Sequence, residues 1–365
     1  MASDKPQNWI LIGNAEDLKR DLASNGGLKE IIFGEKKVAL SFFENKFGAI
    51  GSRCNHMGGP LARGKIEGGY VECPWHYWKF HHQSGEAMNT VGEPIAKSGG
   101  SIPSYNLKVE NGDLYLDLAS ETKRISATYN QGLPISHLFR EPKREPGRIR
   151  VVGISTTSMD KNHPRYSTSI HLLKSSLLRA ENELDVETKF LALHEMNIRP
   201  CEGFYSKSER ACSWPCSITK IDFNDEMAKI YDALVFWADV VVVATPIRWG
   251  SASSLYYKMV ERLNSIQNQI TLKNKVLIQQ KVASFIITGG QDNIQMISGQ
   301  MLSFFGELGF VSPPFPFVGH SLGWTAEEME RNTDFVQRNE KLHEQAFELL
   351  QRSVDLSKTL LAGNN

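Results

Sequence analysis

The stretch DVVVVATPIRWG at residues 239–250 decides the fold of the larger part of the chain. Its uninterrupted apolar run is typical of a strand buried on both faces, as in a parallel sheet. From Arg148 onward, strand and helix patterns alternate, which predicts an α/β region around that strand. The predicted strands are 149–154, 186–193, 239–244, 282–288 and an edge strand at 315–318, and the predicted helices are 169–180, 225–237, 254–263 and 294–308.

The end of the chain has a different pattern. Residues 325–361 are predicted to be helical, and Thr325 with Glu328 forms a capping box at the start of this stretch. We therefore expect an α/β domain over 148–322 and a C-terminal helical extension over 323–365.

Residues 1–120 are predicted to form an all-β domain. Short apolar runs alternate with turn signals such as Asn111-Gly112, and only a short helix near 15–23 interrupts the pattern. Residues 121–147 carry three prolines and no sustained period, so we expect a linker there.

Composition excludes some classes of function. The chain has 365 residues with 41 basic and 41 acidic side chains, which argues against a nucleic-acid partner or an anionic membrane surface. No secretory signal is evident at the N-terminus, and the most apolar stretch, 233–247, is too short to span a bilayer. Five cysteines without an export signal favour reduced thiols or metal ligands. We expect a cytoplasmic protein.

The strongest motif is a pair of short cysteine–histidine segments. Cys54-Asn55-His56 is followed, after sixteen residues, by Cys73-Pro74-Trp75-His76. Two thiolates and two imidazoles can hold a [2Fe–2S] cluster, with the cysteines on one iron and the histidines on the other. The alternatives are a structural zinc site, or core cysteines and surface histidines without a common role. The neighbouring pair His81-His82 is expected in an exposed turn without a role.

With Gly58-Gly59-Pro60-Leu61 after the first segment and Trp78-Lys79-Phe80 after the second, residues 8–118 resemble a Rieske-type ferredoxin domain. The resemblance implies that Cys54, His56, Cys73 and His76 are the cluster ligands. High-potential members of that family bridge the two loops with a disulfide, and this chain has Gly59 and Trp75 in those places. The resemblance thus implies a potential near roughly −150 mV, in the lower Rieske range.

Three loops follow predicted strands of the α/β region, where open parallel sheets bind ligands. The first, 155–169, is rich in hydroxyl side chains and leads into a helix, a combination that suits a phosphate but that also occurs in plain helix caps. The second is 245–251 and the third is 288–292.

Together with Asp225-Glu226-Met227 and Ala238-Asp239, these loops resemble the flavodoxin-fold NAD(P)H-dependent FMN reductases and the related iron–sulfur flavoproteins. The alternative is a sheet of this kind without a flavin. The resemblance implies an α/β flavodoxin-like doubly wound parallel sheet. It also implies that the FMN phosphate is held by Ser155, Thr157, Ser167, Thr168 and Ser169, and that the isoalloxazine ring is held by Thr245, Pro246, Ile247, Arg248, Trp249, Gly250, Gly289, Gly290, Gln291 and Asp292. Arg248 is expected beside the flavin pyrimidine or in a surface salt bridge.

Iron–sulfur flavoproteins also carry a compact four-cysteine motif. Here only Cys201, Cys212 and Cys216 are present, so a second cluster is disfavoured and these are read as remnants or packing thiols.

The leading functional hypothesis is an oxidoreductase that passes electrons between NAD(P)H, FMN and a Rieske [2Fe–2S] cluster to an external small-molecule or protein acceptor. A second hypothesis is a flavin-site reductase of a quinone, nitro compound or other organic substrate, with the cluster as relay. A Rieske oxygenase would need an iron site, for which Asp160, His163 and His171 are the nearest candidates. A redox-responsive binding protein is the non-enzymatic alternative. The family resemblance also suggests a homo-oligomer.

Overall fold

The computed structural model describes residues 9–88, 100–125, 135–222, 224–290 and 292–363. Part of the predicted linker, 126–134, lies outside these ranges. The chain forms two compact units. Unit 1 comprises Met1–Ser136 and Gly203–Ala211, and unit 2 comprises His137–Glu202 and Cys212–Asn365. The segment 203–211 thus clusters with the N-terminal unit, although sequence analysis placed it in the α/β region.

Unit 1 is built from three small antiparallel sheets, ordered β1-β10-β9, β2-β3-β4 and β5-β6-β7-β8. Their strands are β1 (Trp9–Asn14), β2 (Leu28–Phe33), β3 (Lys36–Phe43), β4 (Lys46–Gly51), β5 (Lys65–Glu67), β6 (Tyr70–Glu72), β7 (Lys79–His81), β8 (Ala87–Met88), β9 (Asn106–Glu110) and β10 (Asp113–Asp117). One helix, α1 (Ala15–Ser24), follows β1 and is capped by the Asn14 side chain. Asn111 and Gly112 both have positive φ, as a tight hairpin turn between β9 and β10 requires.

Unit 2 contains a five-stranded sheet in the order β12-β11-β13-β14-β15, with every pair parallel. This is a doubly wound order, with its switch point between β11 and β13. The strands are β11 (Ile149–Ser155), β12 (Val186–Ala192), β13 (Val240–Pro246), β14 (Val282–Gly289) and β15 (Phe317–Ser321). The helices are α2 (Thr168–Glu183), α3 (Ser217–Ile221), α4 (Met227–Tyr231), α5 (Ser254–Lys273), α6 (Ile294–Glu307), α7 (Ala326–Arg338) and α8 (Glu340–Ala362).

The fold prediction is confirmed. Strand β13 has two strands on each side in the sheet, and all seven of its residues are buried as a result. Residues of α2 and α8 pack with the strands in one apolar core cluster. No helix among the described residues has the length and apolar character needed to cross a membrane.

Three predicted elements differ in detail. The single C-terminal helix is two helices, because Asn339 leaves the helical conformation and its side chain accepts from the Leu342 amide at 3.1 Å, which starts α8. The predicted helix 225–237 begins at Met227 and continues beyond α4 as a π-helical segment, Asp232–Trp237. The edge strand begins at Phe317, because Phe315 has a left-handed φ of 50°.

Candidate functional site: a paired cysteine–histidine site and a hydroxyl-lined crevice

Two loops of unit 1, one after β4 and one between β6 and β7, carry the cysteine–histidine segments, and the two loops close in the same way. The Cys54 carbonyl accepts from the Gly58 amide at 3.0 Å, and the Cys73 carbonyl accepts from the Tyr77 amide at 3.0 Å. Gly58 and Tyr77 both adopt left-handed φ angles, of 78° and 62°. Each loop therefore makes one tight turn that puts its cysteine and its histidine on the same side.

The four predicted ligands lie together. Cys54, Cys73 and His76 are each at most 2% exposed, and the His56 and His76 rings lie 4.4 Å apart at their centroids. Burial raises the pKa of Cys54 well above its usual value, since a lone thiolate is poorly solvated there. A hydrogen bond from Cys54 lowers the pKa of Cys73. Two such thiols ionise together only beside a positive charge such as iron.

The space around the thiols fits a cluster. A Cβ atom at Gly59 would lie 2.6 Å from the Cys73 Sγ atom and 3.1 Å from the Trp75 ring, so only glycine leaves that sulfur in place. Two thiols and two imidazoles are the donor set of a Rieske centre, in which each iron takes two protein ligands. Among the described residues, no group of three or more His, Cys, Asp or Glu side chains is placed to hold a single metal ion.

The segment Gly203–Ala211 covers His76 within unit 1. The His76 Nε2 atom lies 2.6 Å from the Ala211 carbonyl oxygen, and the Phe204 ring meets the His76 ring edge-on at 5.1 Å. Lys207 donates to the Tyr77 hydroxyl at 3.0 Å. Since a carbonyl oxygen can only accept, the Nε2 atom of His76 carries the proton of this hydrogen bond. The Nδ1 atom of the neutral ring is then unprotonated, and its lone pair points to iron as the partner. Sequence analysis missed this contact, which joins positions 135 residues apart.

The prediction for one of the neighbouring histidines is wrong. His82 is only 4% exposed, not in an exposed turn, and its Nδ1 atom lies 3.1 Å from the Ser41 hydroxyl. Burial is the main reason why the pKa of His82 falls to about 4, and the charges of His81 and Lys46 add to it. His82 therefore belongs to the neutral interior of unit 1.

In unit 2, the loop after β11 and the start of α2 bring hydroxyl groups together. The Thr157 hydroxyl lies 3.0 Å from that of Ser167 and 3.0 Å from that of Ser169, and the last two are 3.2 Å apart. Ser155 accepts from the Thr157 amide at 3.3 Å. Three hydroxyls at the N-terminus of a 16-residue helix suit a phosphate dianion, because the amides and the helix dipole also favour negative charge. Thr168 instead pairs with the Thr288 hydroxyl, 2.7 Å away at the end of β14.

The loops after β13 and β14 lie against each other at the same edge of the sheet. The Ile247 amide donates to the Thr288 carbonyl at 2.8 Å, and a Cβ atom at Gly289 would lie 2.7 Å from Ile247. Between them, Trp249 and Gly250 have left-handed φ angles, and the Trp249 side chain is 94% exposed. An aromatic side chain held in solvent on a tight turn is available to cover a planar ligand.

Two of the predicted ring contacts have local roles. The Asp292 carboxylate accepts from the amides of Asn293 and Ile294, which begins α6. Thr245 is fully buried and accepts from the Ser253 amide at 3.2 Å. Gly290 is packed closely, since a Cβ atom there would contact the Gly323 carbonyl at 2.8 Å. Gln291 lies outside the described residues. The assignment of these residues to FMN stays a prediction.

Two aspartates of the motifs are structural. Asp225 forms an ion pair with Arg262 at 2.6 Å, and both side chains are completely buried. Asp239 accepts from Arg144 at 2.7 Å and from the Arg150 amide at 3.0 Å. These contacts fix the positions of β13 and α5, the two elements on either side of the loop 245–251.

The three other cysteines of the chain are close to one another in unit 2. Burial raises the pKa of Cys212 to about 11, and the charges of Cys216 and Cys201 add to the shift. Cys216 accepts from the Arg262 Nε atom at 3.2 Å.

Of the three candidates for an oxygenase iron, Asp160 and His163 lie 3.5 Å apart, but His171 is engaged elsewhere. Asp160 accepts from the amides of Asn162 and His163, while the His171 ring packs between Tyr166 and His343.

Two family models match the chain. Residues 8–105 match the Rieske [2Fe–2S] domain, and residues 151–325 match the NADPH-dependent FMN reductases. The chain belongs to the Rieske [2Fe–2S] family and carries an FMN reductase domain in the same polypeptide. The prediction of a fused architecture is confirmed, and the cofactors of these domains are a [2Fe–2S] cluster and FMN with NAD(P)H.

Two curated proteins are similar to about 100 residues of this chain. The ferredoxin component of the naphthalene 1,2-dioxygenase/salicylate 5-hydroxylase systems of Ralstonia sp is 30% identical over 105 residues, or 29% of this chain and 90% of that protein. Human apoptosis-inducing factor 3 is 29% identical over 101 residues, which cover 28% of this chain and 16% of that protein. The chain thus spans a small part of that relative.

Among solved structures, RosB with its bound intermediate 8-demethyl-8-formylriboflavin-5'-phosphate overlaps 59% of this chain and 81% of its own, at 18% identity and a TM-score of 0.47. At this score the likeness indicates nothing about the ligands of this chain.

Proposed function

We propose that this oxidoreductase passes electrons between NAD(P)H, FMN and a Rieske [2Fe–2S] cluster and delivers them to an external acceptor. The observation that carries the proposal is the presence, in one chain, of the paired cysteine–histidine loops and of the hydroxyl cluster of Thr157, Ser167 and Ser169. When bound, FMN accepts the two electrons of a hydride and can release them one at a time, as a [2Fe–2S] cluster requires.

In unit 1, the residues of the two loops bind and orient the cluster. Cys54 and Cys73 provide the buried thiolates, and His56 and His76 provide the imidazoles. The Ala211 carbonyl fixes the proton of His76 on Nε2, and Trp78, stacked on His56 at 5.2 Å, excludes water.

In unit 2, each loop has a separate task. Thr157, Ser167 and Ser169 hold the FMN phosphate, and the loops 245–250 and 289–292 enclose the isoalloxazine ring. Among the described residues Arg248 has no ion-pair partner, which disfavours the surface salt bridge and supports a position beside the flavin. A cation there favours negative charge on the reduced ring.

The test is an anaerobic titration of the purified protein with NADH and, separately, NADPH, with flavin and cluster absorbance followed together. With at least one of the two nucleotides, we expect flavin bleaching first and cluster reduction afterwards. The proposal fails if neither nucleotide bleaches the flavin, or if the cluster stays oxidised while the flavin is fully reduced.

A second candidate is the reduction of an organic substrate at the flavin site. A cavity of about 770 Å³ opens beside Gly290 and Asp292 and is also lined by His320, Trp324 and Arg331. This volume suits an aromatic molecule such as a quinone or a nitro compound. Steady-state turnover with such acceptors, in protein with and without its cluster, separates the two functions, because a direct flavin reaction does not need the cluster.

The remaining features of the function are proposals of the same kind. We expect the acceptor to be a small molecule or a protein, the chain to form a homo-oligomer, and the location to be cytoplasmic. Size-exclusion chromatography with light scattering tests the second expectation.

A further inference from the structure

A cavity of about 440 Å³ lies in unit 2 at the amino-terminal ends of β13 and β14, the opposite end of the sheet from the loops assigned to FMN. We call it the Lys281 cavity. Its lining comes from residues within 141–144, 235–239 and 274–281, together with Leu361 of α8. Four lining residues are cations and two are acids: Lys143, Arg144, Lys275, Lys281, Glu141 and Asp239. The excess of positive charge favours an anionic ligand.

Both acids of the cavity are already paired. The Asp239 Oδ1 atom accepts from Arg144 Nε at 2.7 Å, and its Oδ2 atom accepts from Arg144 Nη2 at 3.1 Å and from the Arg150 amide at 3.0 Å. Glu141 pairs with Lys275 at 2.6 Å. Within the lining that the structure describes, Lys143 and Lys281 are the two cations left without an ion pair.

Lys281 is close to a carboxylate that it cannot use. It directly precedes β14 and lies beside Asp239, since the Val282 amide donates to the Asp239 backbone carbonyl at 2.9 Å. Because Arg144 occupies the Asp239 side chain, the Lys281 Nζ atom donates to the uncharged Ala238 carbonyl instead. The geometry therefore gives this amine no counter-charge.

The surroundings of Lys281 favour its neutral form. Burial is the main reason why the pKa of Lys281 falls to about 8, from an ordinary value of 10.5. The cations Arg144 and Arg150 add to this lowering, and the anions Asp239 and Asp232 oppose it only in part. About half of such amines are neutral at pH 8, against about 0.3% for an ordinary lysine. A neutral amine has the lone pair that a nucleophile needs.

We propose that Lys281 is an acylation site and that the Lys281 cavity takes an acyl phosphate, with Lys143 at its phosphate end. An acyl phosphate combines an anion with an electrophilic carbonyl carbon, which are the two groups that this lining suits. The Nζ lone pair forms a bond to that carbon, the bond from the carbon to the phosphate oxygen breaks, and phosphate and one proton leave. No electrons are gained or lost, so the step needs neither FMN nor the cluster, and the proposal is independent of the proposed function.

The test follows acetylation of the purified full chain by acetyl phosphate, with peptide mass spectrometry reporting the initial rate at each lysine. At pH 8 we expect Lys281 to react about tenfold faster than Lys275 of the same cavity, because its neutral fraction outweighs its lower basicity. The rate at Lys281 should level off near pH 9, where nearly all of this amine is already neutral.

Lys143→Ala tests the phosphate end of the site. Lys143 is exposed, and its loss should slow acetylation of Lys281 by acetyl phosphate about fivefold, the effect of one exposed ion pair. Acetic anhydride carries no phosphate, so its reaction with Lys281 should not change in this variant. Lys273→Ala is the matched control, since Lys273 is an exposed lysine at the end of α5, outside the described lining, and it should behave as the wild type does with both reagents.

A rate at Lys281 no greater than that at Lys275 would overturn the proposal, and so would an equal effect of Lys143→Ala on both reagents. Acetyl-CoA is the other common source of an activated acyl group. If it acetylates Lys281 as fast as acetyl phosphate does at the same concentration, the assignment to an acyl phosphate is wrong.

Discussion

Gly59→Ala should abolish cluster assembly without preventing the folding of unit 1. The new Cβ atom would lie 2.6 Å from the Cys73 Sγ atom, about 1 Å closer than nonbonded atoms tolerate. The Cys73 backbone cannot yield, because its amide donates to the Trp78 carbonyl at 2.7 Å. The sulfur must therefore move by about 1 Å, whereas a metal site tolerates about 0.2 Å.

Gly58→Ala is the matched control in the same loop. Gly58 has a φ of 78°, so alanine there costs about 1–2 kcal/mol in backbone strain, but no atom lies within 4 Å of the added methyl group. Overpacking at Gly59 costs a similar 1–3 kcal/mol. Both variants should lose comparable stability in urea unfolding, while only Gly59→Ala should lose iron, acid-labile sulfide and the reduced-state electron paramagnetic resonance signal. Equal cluster content in the two variants would refute the reasoning.

Three further predictions concern stability and flavin binding. Arg262→Leu leaves the buried Asp225 charge unpaired and should cost about 3–5 kcal/mol, seen as a lower urea midpoint; a change below about 1 kcal/mol would contradict the buried ion pair. Thr157→Val removes one hydroxyl from the cluster and should weaken FMN binding about tenfold in a fluorescence titration, with riboflavin as the control ligand because it lacks the phosphate. The pKa of His82 is about 4 in the folded chain against 6.5 for the free side chain, so the unfolded chain binds more protons between these values. Stability should therefore fall by up to about 3 kcal/mol as the pH drops from 6.5 to 4, and urea unfolding of His82→Asn should show a flatter pH profile over that window.

The grouping of the four proposed cluster ligands could be predicted from sequence because the geometry of each pair is local. Each cysteine–histidine pair lies on one tight turn, so spacing alone places both donors on one side. The central strand 240–246 could be predicted for a similar reason, since a run of valines has few alternatives to a buried parallel strand.

Other features could not be predicted, because the side chains concerned have two possible environments and the spacing of residues does not show which one they adopt. The sequence allows Asp292 either to face a flavin or to cap its own helix. In the structure its carboxylate accepts from the amides at the start of α6. His82 does lie in a turn, but its side chain is buried, which favours its neutral form. Asn339 interrupts an otherwise continuous helical pattern because its side chain caps the next helix.

The assignment of Gly203–Ala211 to unit 1 has a consequence for dissecting the protein. A fragment cut at the linker would contain all four proposed cluster ligands but would lack the Ala211 carbonyl and the Phe204 ring that lie against His76. Such a fragment would have a hydrated histidine edge and a different electronic environment from that of the intact chain. The minimal complete Rieske module of this polypeptide is therefore encoded in two separate stretches of sequence, and excision at a single boundary cannot yield it.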